Sequence, residues 1–168
     1  KNFILKNKCD SIIAAGGGKV LDSGKYLGDS LSMPCITIPL SASTCAGWTA
    51  LSNIYTINGQ FLEDVALKSC PRILVFDHNF IQTAPTRTLA SGIADALAKW
   101  YESSLTSSTI NDGLVQQAIQ ISRVLRDQLL IDSERAIKTQ SQDNPSWRNV
   151  IEGCGITAGL IGGIGGEK

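Results

Sequence analysis

Three consecutive glycines between an apolar run and a helical pattern constrain the fold of this chain most. Residues 9–15 (CDSIIAA) are largely apolar and lead into Gly16, Gly17 and Gly18, which predicts a buried strand ending in a tight turn. Residues 19–31 then place apolar side chains at roughly helical spacing, and residues 35–40 (CITIPL) favour extended backbone. A strand, a glycine turn, a helix and a second strand form a βαβ unit, which predicts a parallel sheet.

Two further extended segments follow this unit. Asn58-Gly59 lies between strand-like stretches, and an Asn-Gly pair in that position predicts a β-hairpin. Residues 72–77 (RILVFD) are apolar and β-branched enough to predict another buried strand.

Beyond Pro85 the pattern changes to helices. Asn111-Asp112 offers an N-cap, and Asn144-Pro145 breaks the chain before a last helix. Apolar side chains recur at helical spacing in three segments, residues 88–104, 113–130 and 147–164. We therefore predict two partial domains, an α/β domain at residues 1–82 and an all-helical domain at residues 83–168.

Charge and cysteine content limit the classes of function. Lys plus Arg and Asp plus Glu number 15 each, so the net charge is zero, and no basic excess indicates a nucleic acid or a membrane surface as partner. The five cysteines are widely spaced without a CxxC pair, which predicts a reduced, cytoplasmic protein rather than a disulfide framework. The glycine-rich stretch 153–166 is too short to span a bilayer. Neither end resembles a natural terminus, so we expect a fragment.

The glycine turn is the strongest local indication of a ligand. Glycines allow a phosphate to approach the backbone, the helix N-terminus offers free N–H groups, and Lys19 would add a positive charge. Ser41, Ser43 and Thr44 follow the second strand, so the two loops should lie side by side where α/β sheets bind ligands. The alternatives are a plain βα turn and ordinary Ser/Thr turn chemistry.

Asp95 and Cys45 have two interpretations each, and His78 has one. Asp95 lies within an apolar helical stripe, so it is either a buried carboxylate that needs a cation or an outward-facing, solvated residue. Cys45 is either a thiol nucleophile or a pocket-lining residue, and no activating base is visible, which favours the second. His78 is the only histidine, and we interpret it as a residue of a surface loop.

The segments GGGKVLDSGK, SASTCAGWTALSNIYT and ASGIADALAKWYE together resemble the glycerol dehydrogenase-like branch of the iron-containing alcohol dehydrogenase family. Their order and spacing match across essentially the whole chain. The resemblance implies a dehydroquinate synthase-like fold: a parallel-sheet nucleotide-binding domain followed by a helical metal-binding domain. It also implies an oxidoreductase that uses NAD or NADP and a divalent metal, zinc or iron.

Individual roles also follow from the resemblance. Gly17, Gly18, Lys19 and Asp22 would form the pyrophosphate-binding turn, and Leu40 and Ser43 would lie along the cofactor. The nicotinamide side would be lined by Thr49, Leu51 and Tyr55. Asp95 matches the family's first metal ligand, and the two histidine ligands fall downstream of the position matching Lys168.

Cys45 replaces an aspartate that contacts the polyol in glycerol dehydrogenases, which makes STCAGWTALS more similar to the hydroxycarboxylate dehydrogenase relatives. The resemblance therefore implies a 2-hydroxy acid or 2-oxo acid as substrate, or else a small polyol. An alternative is a remnant that binds nucleotide without catalysis, because both histidines are absent. Both interpretations are compatible with a homo-oligomer.

Overall fold

The computed structural model describes residues 2–106 and 111–164 of the chain. Contacts divide the protein into two compact units. The α/β unit comprises Lys1–Leu40 and Ala46–Asp77, and the helical unit comprises Ser41–Cys45 and His78–Lys168. Across the part of the chain that the model describes, every helix falls short of the length or apolar character needed to cross a membrane.

The α/β unit contains a three-stranded parallel sheet with the order β1-β2-β5. A short helix α1 (Asn2–Lys6) precedes β1 (Ile12–Gly16), and helix α2 (Gly18–Leu31) connects β1 to β2 (Cys35–Pro39). Between α2 and the sheet lies a small core of Ala14, Leu21, Cys35 and Ala46. The predicted βαβ unit and its parallel sheet are thereby confirmed.

The last strand of the sheet is much shorter than its sequence predicts. Strand β5 contains only Ile73–Leu74, where residues 72–77 had the pattern of a strand. It pairs with β2 on one side, and Ile73 is 51% exposed. The apolar run predicted a buried strand, whereas in the described part of the chain β5 pairs on one side only and is partly exposed.

A separate antiparallel hairpin follows β2 in the chain. Strands β3 (Leu51–Tyr55) and β4 (Phe61–Ala66) pair across the predicted Asn-Gly turn. Gly59 has a φ of +80°, a conformation that glycine adopts without the clash that a Cβ would cause. The hairpin prediction is confirmed.

The helical unit contains the predicted helices, with different ends. Asp112 caps α5 with its side chain, as predicted, and α5 runs on to Lys138 rather than ending near residue 130. Residues 147–164 do not form one continuous helix. Asn144 caps a first segment, and a π-helical turn interrupts the helix before its last segment. The helices are α3 (His78–Gln82), α4 (Thr86–Thr106), α5 (Gly113–Lys138), α6 (Pro145–Glu152), the π-helix (Gly153–Thr157) and α7 (Ala158–Gly163).

A buried carboxylate joins α5 to α6. Asp132 is 6% exposed and accepts hydrogen bonds from Gln128, from Ser146 at 2.7 Å and from Asn149 at 2.9 Å. The bonds from Asn149 and Ser146 hold the pKa of Asp132 below its ordinary value. This site stabilises the helical unit through neutral donors that favour the charged form.

We expect Asp132→Asn to lower the free energy of unfolding at pH 7 by about 1–3 kcal/mol. The amide would place a donor against the donors of Gln128 and Asn149. Because the pKa of Asp132 is lower in the folded than in the unfolded state, its stabilisation is present above the unfolded value of about 4 and is lost as the pH falls through the folded value. Urea unfolding at pH 7 and pH 3 checks this, with the exposed Asp143→Asn as control. An equal loss at both pH values would contradict the ionic role of Asp132.

Candidate functional site

The glycine turn sits between β1 and the first turn of α2. Gly17 is the N-cap of α2, in an extended conformation, and no side chain caps the helix there. A Cβ at Gly17 would meet no atom within 4 Å, whereas a Cβ at Gly16 would lie 2.7 Å from the Cβ of Val20. Gly16 is therefore required for packing, and Gly17 leaves open space beside the helix N-terminus. Uncapped N–H groups and open space together fit an anion such as a phosphate.

The loop after β2 begins next to this turn. Gly16 pairs with Pro39 in the parallel sheet, and the Leu40 N–H donates to the Gly16 carbonyl at 3.0 Å. The ends of β1 and β2 are therefore adjacent. The Leu40 side chain is exposed, which leaves an apolar surface beside the glycine turn.

Lys19 contacts the hairpin. Its Nζ lies 4.7 Å from the ring centroid of Tyr55, a cation–π distance, and Tyr55 packs edge to face on Phe61. Lys19, Ser23, Asn53 and Tyr55 line a cavity of about 290 Å³ together with the turn of the hairpin. Two residues predicted to bind cofactor, Lys19 and Tyr55, are therefore in contact.

Asp22 is part of a buried ion pair rather than an exposed surface. Its carboxylate lies 2.9 Å from the Nζ of Lys25, and both residues are almost fully buried. Burial raises the pKa of Asp22, and the neighbouring Lys25 opposes that shift. Lys25 also donates to Thr49 and to the Leu51 carbonyl, so Asp22 connects to the predicted cofactor-lining segment through Lys25.

The segment Ser41–Cys45 packs on helix α4. Gly92 of α4 is so close to this segment that an added Cβ would lie 1.8 Å from the Ala42 carbonyl oxygen and 3.1 Å from the Cα of Ser43. Ala42 is 2% exposed, and the hydroxyls of Ser41 and Ser43 lie 3.0 Å apart. The absence of a side chain at Gly92 therefore lets backbone pack directly on backbone.

Asp95 lies one turn after Gly92 on the same helix. It is exposed, so the expectation of a buried carboxylate is wrong. Gly92, Ile93 and Ala96 take the buried positions of α4, and Asp95 lies at the edge of that face.

Cys154 is a buried thiol whose pKa is affected by both Asp95 and Cys45. It lies in the π-helix and is 1% exposed. Burial, the charge of Asp95 and the thiol of Cys45 raise the pKa of Cys154 to about 12. Cys154 therefore stays a neutral thiol at physiological pH, next to the predicted metal ligand and the predicted substrate residue. A π-helical turn inside a helix is frequent at functional sites.

The sole histidine has a different environment from the one predicted. His78 is the first residue of α3 rather than part of a surface loop. Its Nε2 lies 3.1 Å from Glu152, and its ring packs edge to face on the buried Trp147. Its contacts with Glu152 and Trp147 account for its position in the helical unit.

The Asp95 carboxylate has the chemistry of a possible ligand for a divalent metal. Within residues 2–106 and 111–164, no group of three His, Cys, Asp or Glu side chains is placed to hold a metal ion. The described residues therefore do not complete a metal centre by themselves. The glycine turn, in contrast, has the open space and uncapped helix end that a dinucleotide pyrophosphate requires.

The predicted site residues fall into two groups. The α/β unit contains Gly17, Gly18, Lys19, Asp22, Leu40, Thr49, Leu51 and Tyr55, and the helical unit contains Ser43, Cys45 and Asp95. Sequence reasoning missed Lys25, Gly92 and Cys154. The signal for Lys25 was its position three residues after Asp22, which places both on one helix face.

The model of the family "Iron-containing alcohol dehydrogenase" matches residues 2–78. An uncharacterised oxidoreductase of Synechocystis sp. is 45% identical over 95% of this chain and 41% of its own length. Hydroxycarboxylate dehydrogenase A of Escherichia coli is 34% identical over 92% of this chain and 44% of its own length.

The fold has solved counterparts as well. The crystal structure of glycerol dehydrogenase from Schizosaccharomyces pombe matches with a TM-score of 0.83 and 31% identity, over 96% of this chain and 44% of that one. The chain thus spans less than half the length of these relatives. The parallel α/β part followed by helices, as predicted, is the fold of this group. In sequence and fold, the chain is therefore similar over nearly its whole length to one part of the glycerol dehydrogenase-like members of the iron-containing alcohol dehydrogenase family.

Proposed function

We propose that this chain is part of a metal-dependent, NAD- or NADP-linked dehydrogenase that interconverts a 2-hydroxy acid and a 2-oxo acid. Its relatives are named dehydrogenases and oxidoreductases. The observation that carries the proposal is the uncapped N-terminus of α2, with open space at Gly17. A site of this kind takes the pyrophosphate of a dinucleotide.

The α/β unit would bind the cofactor with residues that the fold leaves accessible. The N–H groups at Gly18 and Lys19 would donate to phosphate oxygens, and the Lys19 ammonium would add charge. Leu40, Leu51 and Tyr55 are exposed apolar side chains and would provide surface for the nicotinamide half. When bound, the nicotinamide would supply or accept the hydride.

The helical unit would hold the substrate end. Asp95 would give one oxygen ligand to a zinc or iron ion, with the other ligands coming from outside residues 1–168. Such an ion supplies Lewis acidity at a substrate oxygen. Gly92 keeps the segment with Ser43 and Cys45 against the helix that carries Asp95, so the substrate would meet a thiol rather than a carboxylate at position 45.

The test is the activity of the full-length gene product. NADH and NADPH are each assayed with 2-oxobutyrate and with dihydroxyacetone, before and after chelation and with metal added back. Activity that falls on chelation and returns with zinc or iron supports the proposal, and the preferred substrate decides between an oxo acid and a polyol. Nucleotide binding without turnover would instead indicate a binding protein, and activity indifferent to chelation would rule out the metal.

We expect Cys45→Asp to move substrate preference toward polyols. A carboxylate accepts hydrogen bonds from hydroxyl groups far better than a thiol does, and it repels the carboxylate of an oxo acid. The ratio of kcat/KM for 2-oxobutyrate to that for dihydroxyacetone should fall by about tenfold or more, since one good hydrogen bond with charge is worth over 1.4 kcal/mol. Cys70→Asp, at an exposed cysteine of the α/β unit, is the control and should leave the ratio unchanged. An unchanged ratio in Cys45→Asp would remove Cys45 from the substrate site.

A further inference from the structure

Helix α2 contacts strand β3 along one helix face. Lys19, Asp22 and Lys25 are each three residues apart, which places them in a row on α2. Strand β3 contacts these residues in the reverse order along the chain. Tyr55 contacts Lys19, and the Ser52 hydroxyl donates to the Asp22 carbonyl at 3.1 Å. The Leu51 carbonyl accepts from Lys25. Three contacts thus join the helix that begins at the glycine turn to the strand that carries Leu51 and Tyr55.

Lys25 makes the most contacts in this row. Lys25 is 2% exposed, and its ammonium group donates to the Thr49 carbonyl and hydroxyl, both at 3.2 Å, and to the Leu51 carbonyl. Asp22, 2.9 Å away, balances its charge. A buried ammonium is retained only where acceptors and a counter-charge surround it, and here three of the acceptors lie in residues 49–51.

Leu51 in the contacted segment has an exposed side chain, whereas the hydroxyl of the half-buried Thr49 accepts from Lys25. Lys25 therefore holds the backbone that presents the Leu51 side chain to a ligand. A bond network of this kind fixes position without any contact between Lys25 and the ligand.

We infer that Lys25 is a positioning residue that fixes segment 49–51, the nicotinamide side of the cofactor site, relative to the phosphate-binding end of α2. This inference rests on the proposed function, since it assigns a role within the same nucleotide site. On this inference Lys25 acts on one half of the cofactor only. The glycine turn accepts hydrogen bonds from Val20, Leu21 and Leu40, so we expect it to keep its shape when Lys25 is replaced.

The test compares two nucleotides in the full-length protein, using NADH or NADPH, whichever the wild type prefers, and ADP-ribose, which lacks the nicotinamide. Lys25→Met removes the ammonium group but keeps an unbranched side chain of similar length. We expect the Kd of the reduced cofactor to rise roughly tenfold or more and the Kd of ADP-ribose to change by less than about twofold. Lys138→Met is the matched control, since Lys138 is an exposed residue paired with Glu134, and it should change neither Kd.

Lys25→Gln is the second variant, for use if Lys25→Met does not give a cooperative melting transition. It removes the charge but keeps an N–H donor for the carbonyl oxygens of Thr49 and Leu51, and it should show the same selective loss at smaller size. A parallel weakening of both nucleotides, or no weakening of either, overturns the inference while leaving the proposed function intact. A wild-type protein that binds neither nucleotide overturns the proposed function, and the role of Lys25 falls with it.

Discussion

Asp95→Ala is expected to lower kcat/KM of the full-length protein about a thousandfold, because a metal ion at a substrate oxygen supplies several kcal/mol of stabilisation in the transition state. Folding should be almost unaffected. Asp95 is an exposed helical residue, and alanine is a better helix former than aspartate. The loss should therefore appear in turnover and in bound zinc or iron, measured by elemental analysis, and not in the thermal melting temperature.

Asp127→Ala is the matched control for this substitution. Asp127 is also a helical aspartate, with a side chain about half exposed beside Arg126. It should keep activity and metal content. Nucleotide affinity should be unchanged in both variants, because the glycine turn belongs to the α/β unit. If Asp95→Ala retained its metal and its activity, Asp95 would not be a ligand, and its match to the family motif would be one of sequence alone.

Gly92→Ala is expected to lower the free energy of unfolding by about 2–4 kcal/mol. Alanine in a helix interior normally gains up to about 1 kcal/mol over glycine. Here that gain is outweighed, since the new methyl group would lie 1.8 Å from the Ala42 carbonyl oxygen. The obstacle is backbone on both sides, so a rotamer change cannot relieve it. Segment 41–45 must move away from α4, and activity should fall along with stability.

Gly113→Ala provides the control with the same chemical change. A Cβ at Gly113, the first residue of α5, would meet no atom within 4 Å. Its free energy of unfolding, measured in urea, should stay within about 1 kcal/mol of the wild type. Equal effects of the two substitutions would show that helix propensity, and not contact with Ala42, controls the result at Gly92.

The elements that sequence reasoning predicted correctly are those with local determinants. The glycine turn, the Asn-Gly hairpin and the Asp112 cap each depend on a few neighbouring residues whose backbone preferences agree with the fold. Parallel pairing of β1 with β2 then followed from the strand, helix and strand order of a βαβ unit.

Features that depend on distant partners could not be read in the same way. The pattern of residues 72–77 predicts a strand without saying that only two residues find a partner. Periodicity places Asp95 within an apolar stripe without resolving that it lies on the exposed edge. The role of Lys25 depends on acceptors more than twenty residues further along the chain, and no local pattern reports such a contact.

The attachment of Ser41–Cys45 to the helical unit limits where this chain can be recombined with a related protein to make a chimera. These five residues group with the helices although the chain before and after them belongs to the α/β unit. A chimera with a single crossover near residue 77 would pair Ala42 of one parent with Gly92 of the other. Compatible recombination therefore needs the segment and α4 exchanged together. During synthesis the segment leaves the ribosome before α4 exists, so this part of the helical unit assembles late.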